Sequence, residues 1–265
     1  MDRCKIMGIL NVTPDSFYGA SRFPDARRAV ERAYRIREEG ADMIDVGGES
    51  TRPGSAPVPA AEEIDRICPV IERIAKDIGI PISVDTYKSA VAEAALSAGA
   101  TIVNDISGMT FDAEMLGVAA RRGAGVVLMH IKGTPENMQE DPRYDDLIGE
   151  VCRFLGEAAR RAEAGGVDRG RIVIDPGIGF GKSVKDNYVI LNNIAALKKL
   201  GYPVLVGLSR KSLIARLYDD DSDRLPATIA LNSAAVLAGA DIIRVHDVKE
   251  HRLALAGLEM LKRVS

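Results

Sequence analysis

Cysteine is scarce in this chain: Cys4, Cys68 and Cys152 are all that 265 residues contain. An odd, scattered set of three fits neither a disulfide framework nor a zinc cluster, and buried reduced thiols are expected. Long apolar runs are absent too. The longest are strand-sized, well short of the roughly 20 residues of a membrane helix, so no membrane attachment is expected. Charge of one sign is not in excess: 35 basic and 38 acidic residues give a net charge of −3 and are mixed throughout. No basic face for nucleic acid follows from such a balance. An anionic substrate would have to be met by a few placed cations, since the overall field offers no attraction. No low-complexity segment, linker or composition break divides the chain, so a single domain over 1–265 is expected. Met1 to Ile6 leads into an apolar run with no room for a secretory leader, which makes the cytoplasm the default compartment.

What is present is a repeat of pattern. Eight times a short apolar run ends on polar or glycine residues and an amphipathic, helix-like stretch follows. The runs are Ile6–Leu10, Met43–Val46, Ile82–Val84, Ile102–Val103 with its flanks, Val126–Met129, Ile172–Ile174, Val204–Val206 and Ile242–Val245. Helices are predicted over about Asp25–Glu39 (with Asp25 near its N-cap), Ala60–Asp77, Ser89–Ser97, Ala113–Arg122, Tyr144–Ala164 and Ser183–Leu200. A seventh lies somewhere between Lys211 and Ala238, with a loop at Asp219–Asp223, and an eighth closes the chain. Eight near-evenly spaced units favour a closed (β/α)8 TIM barrel over an open doubly wound sheet. The length agrees with the roughly 250 residues typical of that fold.

Active sites of such barrels form at the C-terminal ends of the strands, and there the chemistry-bearing side chains collect. Asp85, Asn104 and Asp175 each follow an apolar strand, and a buried carboxylate is costly unless matched to donors. Two carboxylates and an amide around one pocket suit a flat heterocycle rich in N–H donors, such as a pterin or purine. Helix capping by Asp85, or structural bonding by Asn104 and Asp105, is the plainer reading of any one of them. The irregular loop Gly47–Pro59 carries Thr51, Arg52 and Pro53 among glycines, a composition that can bring N–H groups and a guanidinium to a phosphate. Lys211 after the seventh strand, with Arg244 and His246 after the eighth, lies where these barrels commonly bind phosphate. Gly177–Ser183 imitates a P-loop, but the pattern requires glycine where Pro176 stands, which excludes that mode of nucleotide binding. His130 is less informative, and His251, on the last helix, is expected to be solvated.

Taken in order, "MGILNVTPDSF", "DVGGESTRPGS", "ISVDTYK", "NDISG", "IDPGIGFGK", "GLSRKS" and "RVHDV" resemble the dihydropteroate synthase family along almost the whole chain. The resemblance implies a homodimeric (β/α)8 barrel. Its reaction joins p-aminobenzoate to a hydroxymethyl-dihydropterin diphosphate with release of pyrophosphate. The pterin pocket would carry over to Asp85, Asn104, Asp175 and Lys211. The diphosphate would fall to Asn11, Thr51, Arg52, Arg244 and His246, with Asn11 also at a Mg2+ ion. Phe17, Pro53, Phe180 and Ser212 would border the aminobenzoate, the position at which sulfonamides would compete. Lys211, Arg244 and His246 would carry most of the catalytic effect. The chain departs from the family at Tyr18-Gly19-Ala20-Ser21, where many relatives have Ser-Asp-Gly-Gly, so the loop acid is absent at position 19. A pterin-dependent methyltransferase or a non-catalytic pterin-binding protein could share the Asp–Asn–Asp set, but neither has need of the cations.

Overall fold

In the computed structural model, which describes residues 3–13, 22–215 and 224–264, each apolar run becomes a parallel strand. The strands are β1 (Lys5–Asn11), β2 (Met43–Gly47), β3 (Ile82–Asp85), β4 (Ile102–Asp105), β5 (Gly125–Met129), β6 (Ile172–Asp175), β7 (Leu205–Val206) and β8 (Ile242–Val245). They pair in the order β6-β5-β4-β3-β2-β1-β8-β7. A parallel bridge between Ile174 and Val204 brings the two ends of that order together. The result is the (β/α)8 barrel expected from the sequence.

Alternation along the strands divides their side chains between two environments. Ile6, Leu10, Ile44, Val46, Val84, Val103, Leu128 and Ile174 pack outward in the main core beneath the helices. Met7, Met43, Val127, Leu205 and Ile242 form a separate apolar cluster that fills the lower barrel. The helix α2 (Ala60–Ile74) shows how the outer layer is built: Ile67, Val70, Ile71 and Ile74 recur at helical spacing and are fully buried. Burying each such side chain stabilises the fold by about 1.5–3 kcal/mol.

The remaining helices are α1 (Arg22–Glu38), α3 (Ser89–Ala98), α4 (Met115–Arg121), α5 (Leu147–Ala164), α6 (Val184–Asn192), α7 (Ile194–Lys198), α8 (Ser212–Ala215), α9 (Leu225–Leu237) and α10 (Val248–Val264). Two expectations are corrected. The first helix begins at Arg22, which puts Asp25 inside its first turn instead of at the cap. The single helix expected over Ser183–Leu200 is two. Asn193 turns its side-chain amide back to the Val189 carbonyl at 2.7 Å, a local bond that competes with the helical ladder. The span Lys211–Ala238, within which a helix was expected, carries α8 and α9, and the loop expected at 219–223 lies outside the described residues. Cys4 is buried and Cys68 and Cys152 are half-buried, and none of the three is in a disulfide.

Candidate active site

The parallel register sets Asn11 beside Gly47, Gly47 beside Asp85 and Asp85 beside Asn104. Further round, Asp175 pairs with Met129. Asp85, Asn104, Asp175 and Arg244 thus occupy one side of the strand alternation, above the apolar tier of Met7, Met43, Val127 and Ile242. Strand period and barrel closure alone bring together residues far apart in sequence. A cavity of about 660 Å³ opens at the opposite end of the barrel, beside Arg3, Met43 and Asp241. Two of its four cations are engaged by carboxylates, Arg3 by Asp42 and Lys198 by Asp241, and it lies away from every strand C-terminus.

Arg244 organises the first half of the site. Its Nε donates to Asp45 Oδ2 at 2.6 Å and its Nη2 to Asp85 Oδ2 at 2.5 Å. Asn104 Nδ2 donates to the same Asp45 oxygen at 2.9 Å, which leaves the side-chain Oδ1 of Asn104 as its free acceptor. Asp85 Oδ1 is buried and accepts no bond. Such an orphan acceptor is costly unless a ligand supplies a donor. Burial pushes the Asp85 carboxyl up to about 7 against the pull of Arg244, and the nearby Asp45, Glu63 and Asp105 add to the rise. Burial also works against the Arg244 charge, but Asp45 and Asp85 hold its pKa above the usual arginine value. Asp105 is structural: its Oδ1 accepts from Ser107 N and Oγ, both at 2.7 Å. Asp85 caps no helix, for α3 starts after Lys88 with no side-chain cap.

The β6–α6 turn builds the second half. Asp175 Oδ1 accepts from Gly177 N at 2.7 Å. Gly177 has φ +68°, and a Cβ there would stand 1.9 Å from the His130 carbonyl oxygen, so only glycine fits. Four successive carbonyls of this turn are held by side chains: Ile178 by Lys211 Nζ, Gly179 by Gln139 Nε2, Phe180 by Lys182 Nζ and Gly181 by Tyr144 Oη. Lys211 Nζ also lies 4.7 Å from the centre of the Phe180 ring, within reach of a cation–π attraction. Burial lowers the Lys211 ammonium to about 8, and Arg244 lowers it further while Asp175 and Asp85 oppose. The Asp175 carboxyl is raised by its burial, against Lys211 and the Gly177 N–H. The P-loop imitation is resolved here. Lys182 is buried and turns inward, giving 2.9 Å bonds to His130 Nδ1 and to the Phe180 carbonyl.

The cationic side faces this pocket from β8 and the β2–α2 loop. Ser209 Oγ accepts from the His246 backbone N–H at 3.2 Å and lies 2.9 Å from His246 Nδ1. In the Nε2–H tautomer the Ser209 hydroxyl donates to Nδ1, and in the Nδ1–H tautomer it accepts. Burial, with Arg210, Arg244 and Arg52 adding positive charge, lowers His246 to about 3, so the ring is a neutral donor. Arg52 is exposed and Thr51 half-buried, so the loop offers both to solvent. Pro53 is exposed on the same loop, and Asn11 is half-buried at the end of β1.

Asp85, Asn104, Asp175, Lys211, Arg244 and His246 are therefore assembled at one end of the barrel, with Phe180 against Lys211. Ser212 opens α8, and Phe17 and Gly19 lie outside the described residues. Sequence reading missed Asp45 as an individual residue, although its place two positions after Met43 on the same side of β2 was a usable signal. It also missed Lys182 with His130. His251 is corrected: it is 1% exposed, not solvated. Its Nδ1 donates to the Asp247 carbonyl at 2.6 Å and its Nε2 accepts from Asn232 Nδ2 at 2.9 Å.

Such a barrel, with a tier of acceptors beside cations, is the architecture of a pterin-binding enzyme, and the pterin binding enzyme family model matches residues 7–246. A dihydropteroate synthase of Synechocystis is 46% identical over 249 residues, 93% of this chain and 86% of that protein. The Xanthomonas albilineans dihydropteroate synthase with 4-aminobenzoic acid superposes with a TM-score of 0.91 at 43% identity, covering 98% of this chain and 94% of that one. The Yersinia pestis dihydropteroate synthase in complex with a sulfonamide drug gives 0.93 at 41% identity, covering 99% and 95%. The chain belongs to the dihydropteroate synthase family.

Proposed function

We propose that this chain condenses p-aminobenzoate with (7,8-dihydropterin-6-yl)methyl diphosphate, giving 7,8-dihydropteroate and pyrophosphate for folate biosynthesis. The observation that carries the reading is the unsatisfied Asp85 Oδ1, set beside Asn104 and Asp175, with Lys211, Arg244 and His246 adjoining. Asp85 and Asp175 accept the ring's N–H donors, and Asn104 is held in place by Asp45. Lys211 ties the Ile178 carbonyl and orients both the pterin and Ser212.

The reaction forms one N–C bond at the methylene carbon, breaks one C–O bond to the diphosphate and releases the amine proton. No protein nucleophile is needed. As the C–O bond lengthens, negative charge grows on the leaving oxygens and positive charge spreads into the pterin ring. Arg52, Arg244, Thr51 and His246 in its Nε2–H tautomer stabilise the first, and electrostatic preorganisation of this kind is commonly the largest catalytic effect. Phe17, Pro53, Phe180 and Ser212 border the amine and place it for attack.

Among the described residues no cluster of His, Cys, Asp or Glu could hold a metal ion. The neutral Asn11 fits a Mg2+ that takes most of its oxygen ligands from the diphosphate, a preference of this small, hard ion. Asn11 would hold it through the amide oxygen, and when bound the ion supplies neutralisation of the diphosphate charge.

No helix among the described residues is long and apolar enough to cross a membrane, and a cytoplasmic location is part of the proposed reading. Exposed Leu237 on α9 and Leu253, Met260 and Leu261 on α10 support a homodimer that covers them. The sulfonamide complex of the Yersinia pestis relative supports sulfonamide competition with p-aminobenzoate. Pyrophosphate release tests the reading. It is expected only when both p-aminobenzoate and the pterin diphosphate are present, and release without the amine, or none with both, would overturn it.

A further inference from the structure

The β2–α2 loop is tied at its base by a buried polar knot that the chemistry above does not use. Glu49, with its side chain 6% exposed, accepts from Tyr87 Oη at 2.5 Å through Oε1. Through Oε2 it accepts from Val58 N at 3.0 Å and from Lys88 Nζ. Lys88 Nζ also donates to the Val58 carbonyl at 2.6 Å and to the buried Glu63 at 2.7 Å. One cation and one carboxylate therefore hold both backbone groups of Val58 against the residue that leaves β2. On the same stem, Arg66 Nη1 donates to the Gly48 carbonyl at 2.7 Å.

Residues 50–57 are thereby closed into a short loop whose ends are fixed and whose tip carries Thr51, Arg52 and Pro53. The tip itself is lightly held: Ser50 and Ser55 hydroxyls meet at 3.0 Å, Ser55 N donates to the Arg52 carbonyl at 3.0 Å, and Gly54 N donates to the Pro135 carbonyl at 3.2 Å. A buried ion group of this kind stabilises a fold no better than apolar residues of similar size. What it supplies is a definite geometry. Ordering a free loop on binding costs conformational entropy, and a loop ordered during folding spares the ligand that cost.

We propose that Glu49 and Lys88 are positioning residues that clamp the β2–α2 loop, holding Thr51 and Arg52 for the diphosphate and Pro53 for the aminobenzoate. The proposal rests on the assignment of that loop to the diphosphate and the amine. It predicts an effect on two ligand parts and none on the third, the pterin ring, whose contacts come from β3, β4, β6 and the β7–α8 turn.

The test compares Glu49→Ala, Glu49→Gln and Arg52→Ala in the full-length protein. Glu49→Ala keeps the Lys88–Glu63 pair, so no buried cation is left alone. Calorimetric titration uses two probes, the pterin methyl diphosphate and the hydroxymethyl pterin without phosphate, and steady-state rates give KM for p-aminobenzoate. Glu49→Ala is expected to weaken diphosphate binding and raise that KM by about tenfold each. Phosphate-free pterin should bind within about twofold of the wild-type value, and Glu49→Gln, which keeps one acceptor, should recover part of the loss. Wild-type diphosphate binding by Glu49→Ala, or equal weakening of both pterins, overturns the clamp. If Glu49→Ala does not fold, Glu49→Gln takes its place, and the same two results overturn the clamp. Arg52→Ala separates the failures: selective loss there without loss at Glu49 refutes the clamp alone, whereas no selective loss at Arg52 refutes the loop assignment beneath it.

Discussion

Asp85 and Lys211 occupy one pocket with their ionisation drawn toward neutrality from opposite sides, to about 7 and about 8. Pterin recognition as proposed needs the carboxylate ionised and the ammonium protonated, so the competent form is lost below pH 7 and above pH 8. A narrow bell is expected for kcat/KM, which reports the free enzyme's groups. Lys211→Arg, permanently charged, should remove the alkaline limb at some cost in rate, and an unchanged alkaline limb would show that another group sets it. Arg244 has a consequence at the same scale. Because it holds Asp85 as well as facing the diphosphate side, Arg244→Ala should weaken phosphate-free pterin and the pterin diphosphate together, by about tenfold or more, as expected when a buried charge pair is broken. Its place after the eighth strand and the family resemblance both assigned Arg244 to the diphosphate side. Calorimetry with both ligands decides, and loss confined to the diphosphate would restore the simpler assignment.

At the scale of elements, the β6–α6 turn is the best-fixed part of the site, with four consecutive carbonyls each bonded to a side chain. Lys182 holds the Phe180 carbonyl and His130 without any carboxylate in direct contact, and burial lowers its ammonium to about 7. Lys182→Met should release Phe180 and raise KM for p-aminobenzoate by about threefold to tenfold, the worth of one or two hydrogen bonds. Unchanged kinetics would make the turn's other three ties sufficient. The strands and their polar ends were legible from sequence because a period of two and eight repeats leave few alternatives. The break at Asn193 was not, since nothing in the apolar pattern marks a side chain that bonds its own helix. Asp85, Asn104 and Asp175 were legible as strand ends. Glu49, Lys88 and Lys182 were not, because their partners come from other loops and only the closed barrel brings them near. The P-loop likeness at Gly177–Ser183 was excluded in the sequence by Pro176, and in the fold Lys182 points into the protein toward His130 and the Phe180 carbonyl.

For the whole molecule, pH acts on stability through its buried histidines. Burial lowers the His251 pKa, so the folded protein keeps the ring neutral while the unfolded chain takes up a proton near 6.5. Below that value the unfolded state binds more protons, and this contribution to stability falls by about 1.4 kcal/mol per pH unit down to the folded pKa. His251→Gln should therefore show a shallower loss of melting temperature between pH 6.5 and 5 than the wild type. Parallel curves would mean that the ring titrates alike in both states. Opposing this, carboxyls raised in the fold, Asp85 and Asp105 among them, add stability as pH falls through 7 toward 4, which is why the variant comparison is needed.

The barrel as a whole serves to aim one tier of acceptors at a heterocycle, and Asp175→Asn probes that most directly. The substitution replaces a charged acceptor by an amide that can present N–H groups to the ring's own donors. Hydrogen bonds to charged groups are worth about 1.5–3 kcal/mol, so calorimetric affinity for the phosphate-free pterin should fall by roughly one to two orders of magnitude in a variant that melts as the wild type does. Near-native pterin binding by that folded variant would contradict the placement of the ring against Asp175.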